Sequence, residues 1–141
     1  MKPRVFLDTN VFIYAFELPS SNSRLIIDLL NEGMIEAVVS ERVFREVYHY
    51  FRRYYLKGLA DEFRAYIFST CEIILSDEIR HRLKRYRGEV KDKDLEHLAT
   101  VREYGIKHLV SYDRDFEGIK EYIKPNEFVR LFGIKPRKTE Y

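Results

Sequence analysis

Arg4-Val5-Phe6-Leu7-Asp8 is a short apolar run closed by an acid, and His108-Leu109-Val110-Ser111-Tyr112-Asp113 repeats that design late in the chain. Short apolar runs bounded by polar residues read as buried strands of the kind found in parallel sheets. In open parallel α/β sheets, ligands bind at the carboxyl edge. An acid standing at or just past a strand end therefore marks that edge as the place for chemistry.

Working outward from the first run, helical and strand patterns alternate, which predicts an α/β layered fold. Asn22 to Asn31 places Leu25, Ile26, Leu29 and Leu30 on one helical face, with Gly33 closing it. Ile35 to Val39 reads as a second strand, and Ser40 as the N-cap of a helix carrying Val43, Val47, Tyr50, Phe51 and Tyr54. Ala60 to Phe68 is a further helix, and Cys71 to Leu75 a third strand. The basic stretch from Asp77 to Tyr86 is expected to be helical, and Gly88 separates it from a helix over Lys93 to Glu103. Pro125 opens a last helix at the position where a missing N–H costs nothing. Residues 1–134 are expected to form one domain, followed by a polar C-terminal tail, 135–141, expected to be disordered.

At 141 residues the chain fits one domain. A chain of this size buries roughly two-thirds of its unfolded surface and needs no disulfide or structural metal. The single cysteine, Cys71, lies in an apolar run and is read as a buried, inert thiol. That usage suits a reducing cytosol. The N-terminal residues Met1 to Asp8 are charged from the second position and lack a signal-peptide pattern. No run approaches a membrane span. The expectation is a cytoplasmic protein with no membrane contact. The chain lacks glutamine and is rich in Tyr, Ile, Glu, Lys and Arg, a bias that fits a heat-adapted source.

Two further acids sit on predicted helices. Glu46 lies beside the Val43, Val47 and Tyr50 stripe, and Asp94 at the edge of the Leu95, Leu98 and Ala99 stripe. A carboxylate at the rim of a buried face points along the seam between helix and sheet. With Asp8 and Asp113, these make four acids converging on one edge. Like charges held close need protonation or a cation to offset them, and hard divalent cations with oxygen ligands, Mg2+ or Mn2+, are the natural partner. No His/Cys spacing points to zinc.

Val5-Phe6-Leu7-Asp8-Thr9-Asn10-Val11-Phe12-Ile13 resembles the opening motif of PIN-domain nucleases. Ser40 to Val47, with Glu46, looks like their second motif, Asp94 to Thr100 like the third, and Leu109 to Phe116 like the fourth. Ile123-Lys124-Pro125-Asn126-Glu127-Phe128 matches their usual ending, so the resemblance spans essentially the whole chain. It implies a three-layer α/β/α fold around a central parallel sheet and an endoribonuclease resembling the VapC-type toxins. Asp8, Glu46, Asp94 and Asp113 would be catalytic and hold one or two Mg2+ or Mn2+ ions, with Asp115 helping to hold a second. Thr9, Asn10 and Ser111 match small polar positions that orient acids and waters. The implied route is attack of an activated water on the RNA phosphodiester, leaving a 5′-phosphate and a 3′-hydroxyl. The resemblance also implies a homodimer and a small antitoxin partner. Asp92 is read as the N-cap of the Lys93 helix.

An acidic centre repels a polyanion, so positive charge must come from elsewhere. Arg42, Arg45, Arg52 and Arg53 share a helix with Glu46, and Arg82 and Arg85 belong to a second basic cluster, all candidates for RNA contact. The tyrosines Tyr48, Tyr50, Tyr54, Tyr55 and Tyr66 are read as core or dimer-interface residues. The four histidines, His49, His81, His97 and His108, are read as structural or surface residues. A phosphatase of the haloacid-dehalogenase type also begins with an Asp after its first strand, but needs a second Asp two residues on, where this chain has Asn10. A stand-alone RNA-processing nuclease and a catalytically silent RNA-binding module of the same fold are the remaining alternatives.

Overall fold

The computed structural model describes residues 2–141, and Met1 lies outside the described residues. Its centre is a five-stranded parallel sheet. The strands are β1 (Arg4–Leu7), β2 (Glu36–Ser40), β3 (Cys71–Ile74), β4 (His108–Val110) and β5 (Tyr122–Ile123), in the spatial order β3-β2-β1-β4-β5. β1 occupies the middle, with Val5 paired to Ala37 on one side and His108 on the other. Val5, Phe6 and Leu7 are fully buried, as a strand covered on both faces requires. The chain builds outward from β1 through β2 and β3, then returns to the other side of β1 for β4 and β5. The order reverses between β1 and β4, and Asp8 and Asp113 follow these two strands. That reversal is where a parallel sheet opens a crevice.

Among the described residues, seven α-helices complete an α/β/α arrangement: α1 (Thr9–Glu17), α2 (Asn22–Asn31), α3 (Glu41–Tyr54), α4 (Lys57–Thr70), α5 (Ser76–Ile79), α6 (Leu95–Glu103) and α7 (Pro125–Arg130). α2 packs against α1 and α7, and α3 against α4. Ser40 caps α3 as expected, its hydroxyl accepting from the Val43 N–H at 3.1 Å. No helix among the described residues is long and apolar enough to cross a membrane.

The structure departs from the sequence reading at several elements. α1 was not anticipated: it starts directly from β1 with no loop, and Asp8 caps it by accepting from the Thr9 N–H at 2.7 Å. β5 is only two residues long and carries no pattern of its own. The basic stretch is a short helix, α5, followed by 3-10 turns over Arg80–Tyr86. Asp92 is no helix cap. It is exposed within a 3-10 turn, Asp92–Asp94, and Asp94 stands at the N-cap position of α6.

The tail, expected to be disordered, is docked. The buried side chain of Asn22 donates to the carbonyls of Arg137 and Thr139 at 3.2 and 3.3 Å and accepts from the Arg137 N–H at 2.8 Å. The ring of Tyr141 stacks on Tyr14 with centroids 4.1 Å apart.

Candidate active site

Asp8 is fixed from three directions. Its position at the end of β1 is set by the N–H donated to the Val110 carbonyl at 3.1 Å. One carboxylate oxygen then accepts from the Thr9 N–H, and the other from the Ser111 hydroxyl at 2.6 Å. Asn10 donates to Ser111 Oγ at 3.1 Å and accepts from the Tyr112 N–H at 3.3 Å, joining the start of α1 to the end of β4. Ser111 Oγ also accepts from the Asp113 N–H at 2.9 Å, so a single hydroxyl orients both strand-end acids.

The helical acids are placed by their own anchors. The Thr9 hydroxyl donates to Glu46 at 2.9 Å. Glu96 on α6 accepts from the Arg42 N–H at 3.0 Å, docking the first turn of α3 against the helix that Asp94 opens. Asp94 is only 5% exposed, and its Oδ2 has no hydrogen-bond partner. A buried carboxylate oxygen without a donor is costly unless something further binds it. Burial first, and then the neighbouring charges of Asp113 and Asp8, push the Asp94 pKa up against the opposing pull of Lys93 and His97.

These side chains line one cleft of about 200 Å³, formed by Asp8, Thr9, Asn10, Ile13, Arg42, Glu46, Lys93, Asp94, His97 and Asp113. Within it the acids fall into two groups, each close enough to share an ion: Asp8, Glu46 and His97, and Asp94, Asp113 and Asp115. The donor set is mainly carboxylate oxygen, which suits a hard divalent cation, and the unpartnered Asp94 Oδ2 fits such an ion.

His97 is the residue that sequence reasoning set aside. Its ring is buried, with Nε2 3.6 Å from Asp8 and 3.7 Å from Glu46, and Nδ1 shares a 2.9 Å hydrogen bond with Ser40 Oγ. Burial lowers its pKa, but Glu46, Asp8 and Asp94 outweigh burial and leave it raised. Burial likewise works to raise Glu46, yet contacts from His97 and Thr9 hold that carboxyl below its ordinary range. The only available signal was position: three residues after Asp94, one helical turn along the same stripe. By contrast His49 and His81 are exposed, and His108 packs edge-on to Phe128.

The basic candidates do not converge. Arg42 lines the cleft, 3.7 Å from Glu46. Arg45 turns to Glu41 and Ser76, while Arg52 and Arg53 occupy the exposed last turn of α3. Arg82 and Arg85 pair with Glu103 at the end of α6 opposite Asp94. Lys93, absent from the sequence-based candidates, reaches Asp113 at 3.5 Å and Asp115 at 3.2 Å. Tyr50 and Tyr55 both donate to Glu17, and Tyr66 to Asn31, so these hydroxyls are engaged within the molecule.

The fold and site define an α/β protein with a carboxylate-lined cleft at the switch point of a parallel sheet. The family model for the PIN domain matches residues 5–122, and the chain belongs to that family. Among solved structures, it resembles a toxin–antitoxin complex from Klebsiella pneumoniae, with 24% identity, a TM-score of 0.67, and coverage of 87% of this chain and 98% of the other. VapBC2 from Rickettsia felis, bound to a DNA fragment from its promoter, matches at 19% identity and TM-score 0.59, over 86% and 96% of the two chains. VapC20 of Mycobacterium tuberculosis, a Sarcin-Ricin loop cleaving toxin, matches at 16% identity and TM-score 0.59, over 81% and 93%. No curated protein sequence matches the chain significantly.

Proposed function

We propose that this PIN-domain protein is a divalent-metal-dependent endoribonuclease and the toxin half of a toxin–antitoxin pair. The observation that carries the nuclease reading is the buried, unpartnered Asp94 Oδ2 in a cleft shared with Asp8, Glu46 and Asp113. Asp8, Glu46, Asp94 and Asp113 are the proposed catalytic acids and ligands for Mg2+ or Mn2+. Bound there, such an ion supplies Lewis-acid charge for the phosphate and acidifies water near neutral pH. The chain's own groups do the positioning: Ser111 and Asn10 hold Asp8, and Thr9 holds Glu46. Arg42, at the mouth of the acidic group, is the proposed phosphate contact, with Arg45, Arg52 and Arg53 on the outer basic face of α3.

The toxin reading is supported by likeness to proteins described as toxin–antitoxin complexes. Exposed apolar residues, Tyr54, Leu56 and Phe68 among them, support a protein partner, either an antitoxin or a second copy of the chain. A lone, half-buried cysteine suits work in a reducing cytosol.

The test is cleavage of a structured RNA with Mg2+ or Mn2+, with EDTA, and with Asp8→Asn and Asp94→Asn. Loss of cleavage in EDTA and in both variants is expected. Cleavage that survives chelation, or both substitutions, would sink the metal–carboxylate reading. RNA binding without cleavage in any metal would favour a silent binding module instead.

A further inference from the structure

The cleft brings Asp8, Glu46, Asp94 and Asp113 together, with Asp115 beside Asp94 and Asp113, and of these acids Asp113 and Asp115 already have a cation. Lys93 Nζ lies 3.5 Å from Asp113 and 3.2 Å from Asp115, and Lys91 Nζ lies 3.1 Å from Asp115. Lys93 is the neighbour of Asp94 in sequence, and the 3-10 turn Asp92–Asp94 directs its side chain back across the Asp94–Asp113–Asp115 group. No lysine or arginine approaches Asp8 among the described ion pairs; only the buried His97 does. The two halves of the site therefore differ in kind. The inner half holds the buried His97 imidazole, with Arg42 only at the rim beside Glu46, whereas Asp113 and Asp115 of the outer half are paired with ammonium groups of the chain itself and Asp94 Oδ2 is left open.

We propose that Lys93 is a built-in cation at the second-ion position of this site, so that the chain takes one divalent ion rather than two and presents the Lys93 ammonium where a second ion would otherwise sit. An ammonium supplies the same sign of charge to a phosphate oxygen as an ion does, on a stem that can follow the substrate. The side chain is half exposed, so it can swing from Asp113 and Asp115 to a phosphate in the cleft at little packing cost. Lys91 shares Asp115 but does not line the cleft, and so serves as the comparison residue.

This inference rests on the metal-nuclease reading, and a measurement that needs no RNA separates the two. Mn2+ alone is titrated into the full chain by calorimetry, with the bound ions followed by electron paramagnetic resonance. Wild type should take up one ion per chain, and Lys93→Met two, with the paired ions giving a spin-coupled signal. First-ion affinity in Lys93→Met should rise roughly thirtyfold, the scale of one unit charge acting on a divalent ion about 4 Å away in water. Lys93→Arg should keep a stoichiometry of one, and so should Lys91→Met. Two equivalent ions in wild type, or one ion in Lys93→Met, would overturn the role of Lys93 while leaving the nuclease reading intact. No Mn2+ uptake by wild type would overturn both.

Discussion

Ser111 donates its hydroxyl to Asp8 across a distance of 103 residues in sequence, at 2.6 Å and in a fully buried setting. The same oxygen receives hydrogen bonds from Asn10 and from the Asp113 N–H, so the ends of β1 and β4 share one hub. Ser111→Ala removes that hub without adding bulk. A lost buried hydrogen bond to a charged group should cost about 1.5–3 kcal/mol. Losing a group that orients a metal ligand should weaken Mn2+ binding roughly 10–100-fold. Thermal unfolding and calorimetric titration read the two effects separately. A stability loss with unchanged Mn2+ affinity would mean that Ser111 supports the fold and not the site.

His97 is predicted to balance the inner acids until a metal arrives. Its buried imidazole sits between Asp8 and Glu46, and Ser40 fixes its other face. His97→Ala should destabilise the metal-free protein by about 2–4 kcal/mol, through a cavity and two carboxylates left without their partner. Adding Mn2+ should then raise the melting temperature more in the variant than in wild type, since binding to the folded state adds stability by mass action. Equal shifts in the two proteins would show that the imidazole does not offset the acids.

Arg42 and the Arg82–Arg85 pair should behave differently in RNA cleavage. Arg42 lines the cleft, whereas Arg82 and Arg85 are held by Glu103 at the far end of α6. Arg42→Ala should raise KM for RNA several-fold and flatten its salt dependence, as expected for a lost phosphate contact. Arg82→Ala with Arg85→Ala should leave both within about twofold, because partly exposed pairs contribute little. An equal KM rise in both variants would place RNA over the whole basic surface.

The strand-end acids were legible because an apolar run closed by Asp states both burial and an edge, and the sheet order then places Asp8 and Asp113 at the reversal beside β1. Glu46 and Asp94 were legible from the helical wheel. His97 was not, because a histidine in a buried stripe looks the same whether it fills the core or faces two carboxylates. α1 escaped because Asp8 ends a strand and caps a helix at once, leaving no glycine, proline or polar loop to announce the change. The polarity of 135–141 suggested disorder, but the decisive partners, Asn22 and Tyr14, lie more than a hundred residues away in sequence. No local pattern encodes such a pairing.

Cys71 should be a slow nucleophile at neutral pH. Burial pushes its thiol up to about 11, so little thiolate exists in the folded protein. Labelling by a disulfide reagent at pH 7.5 should be many times slower in the native state than in denaturant. The folded value is raised, so the group's contribution to stability is present below the ordinary thiol value of 9.0 and is lost as pH rises towards about 11. Cys71→Ser should therefore show a shallower stability decline across that window. Fast native labelling at pH 7.5 would contradict the assignment.

The docked tail gives the last prediction. Asn22 is fully buried at the first position of α2, and all three of its side-chain hydrogen bonds go to the backbone of Arg137 and Thr139. Removing residues 137–141 would orphan a buried amide on a helix that packs against α1, the helix Asp8 caps. It would also strip the Tyr141 ring from Tyr14 and leave the Tyr112 hydroxyl with Ser23 alone. The truncation should cost about 2 kcal/mol or more and lower the melting temperature by roughly 5 °C or more. Asn22→Leu within the truncated chain should recover part of the loss, because an apolar side chain has no amide to leave unpaired. An unchanged melting temperature on truncation would return the tail to the disordered state that its sequence suggests.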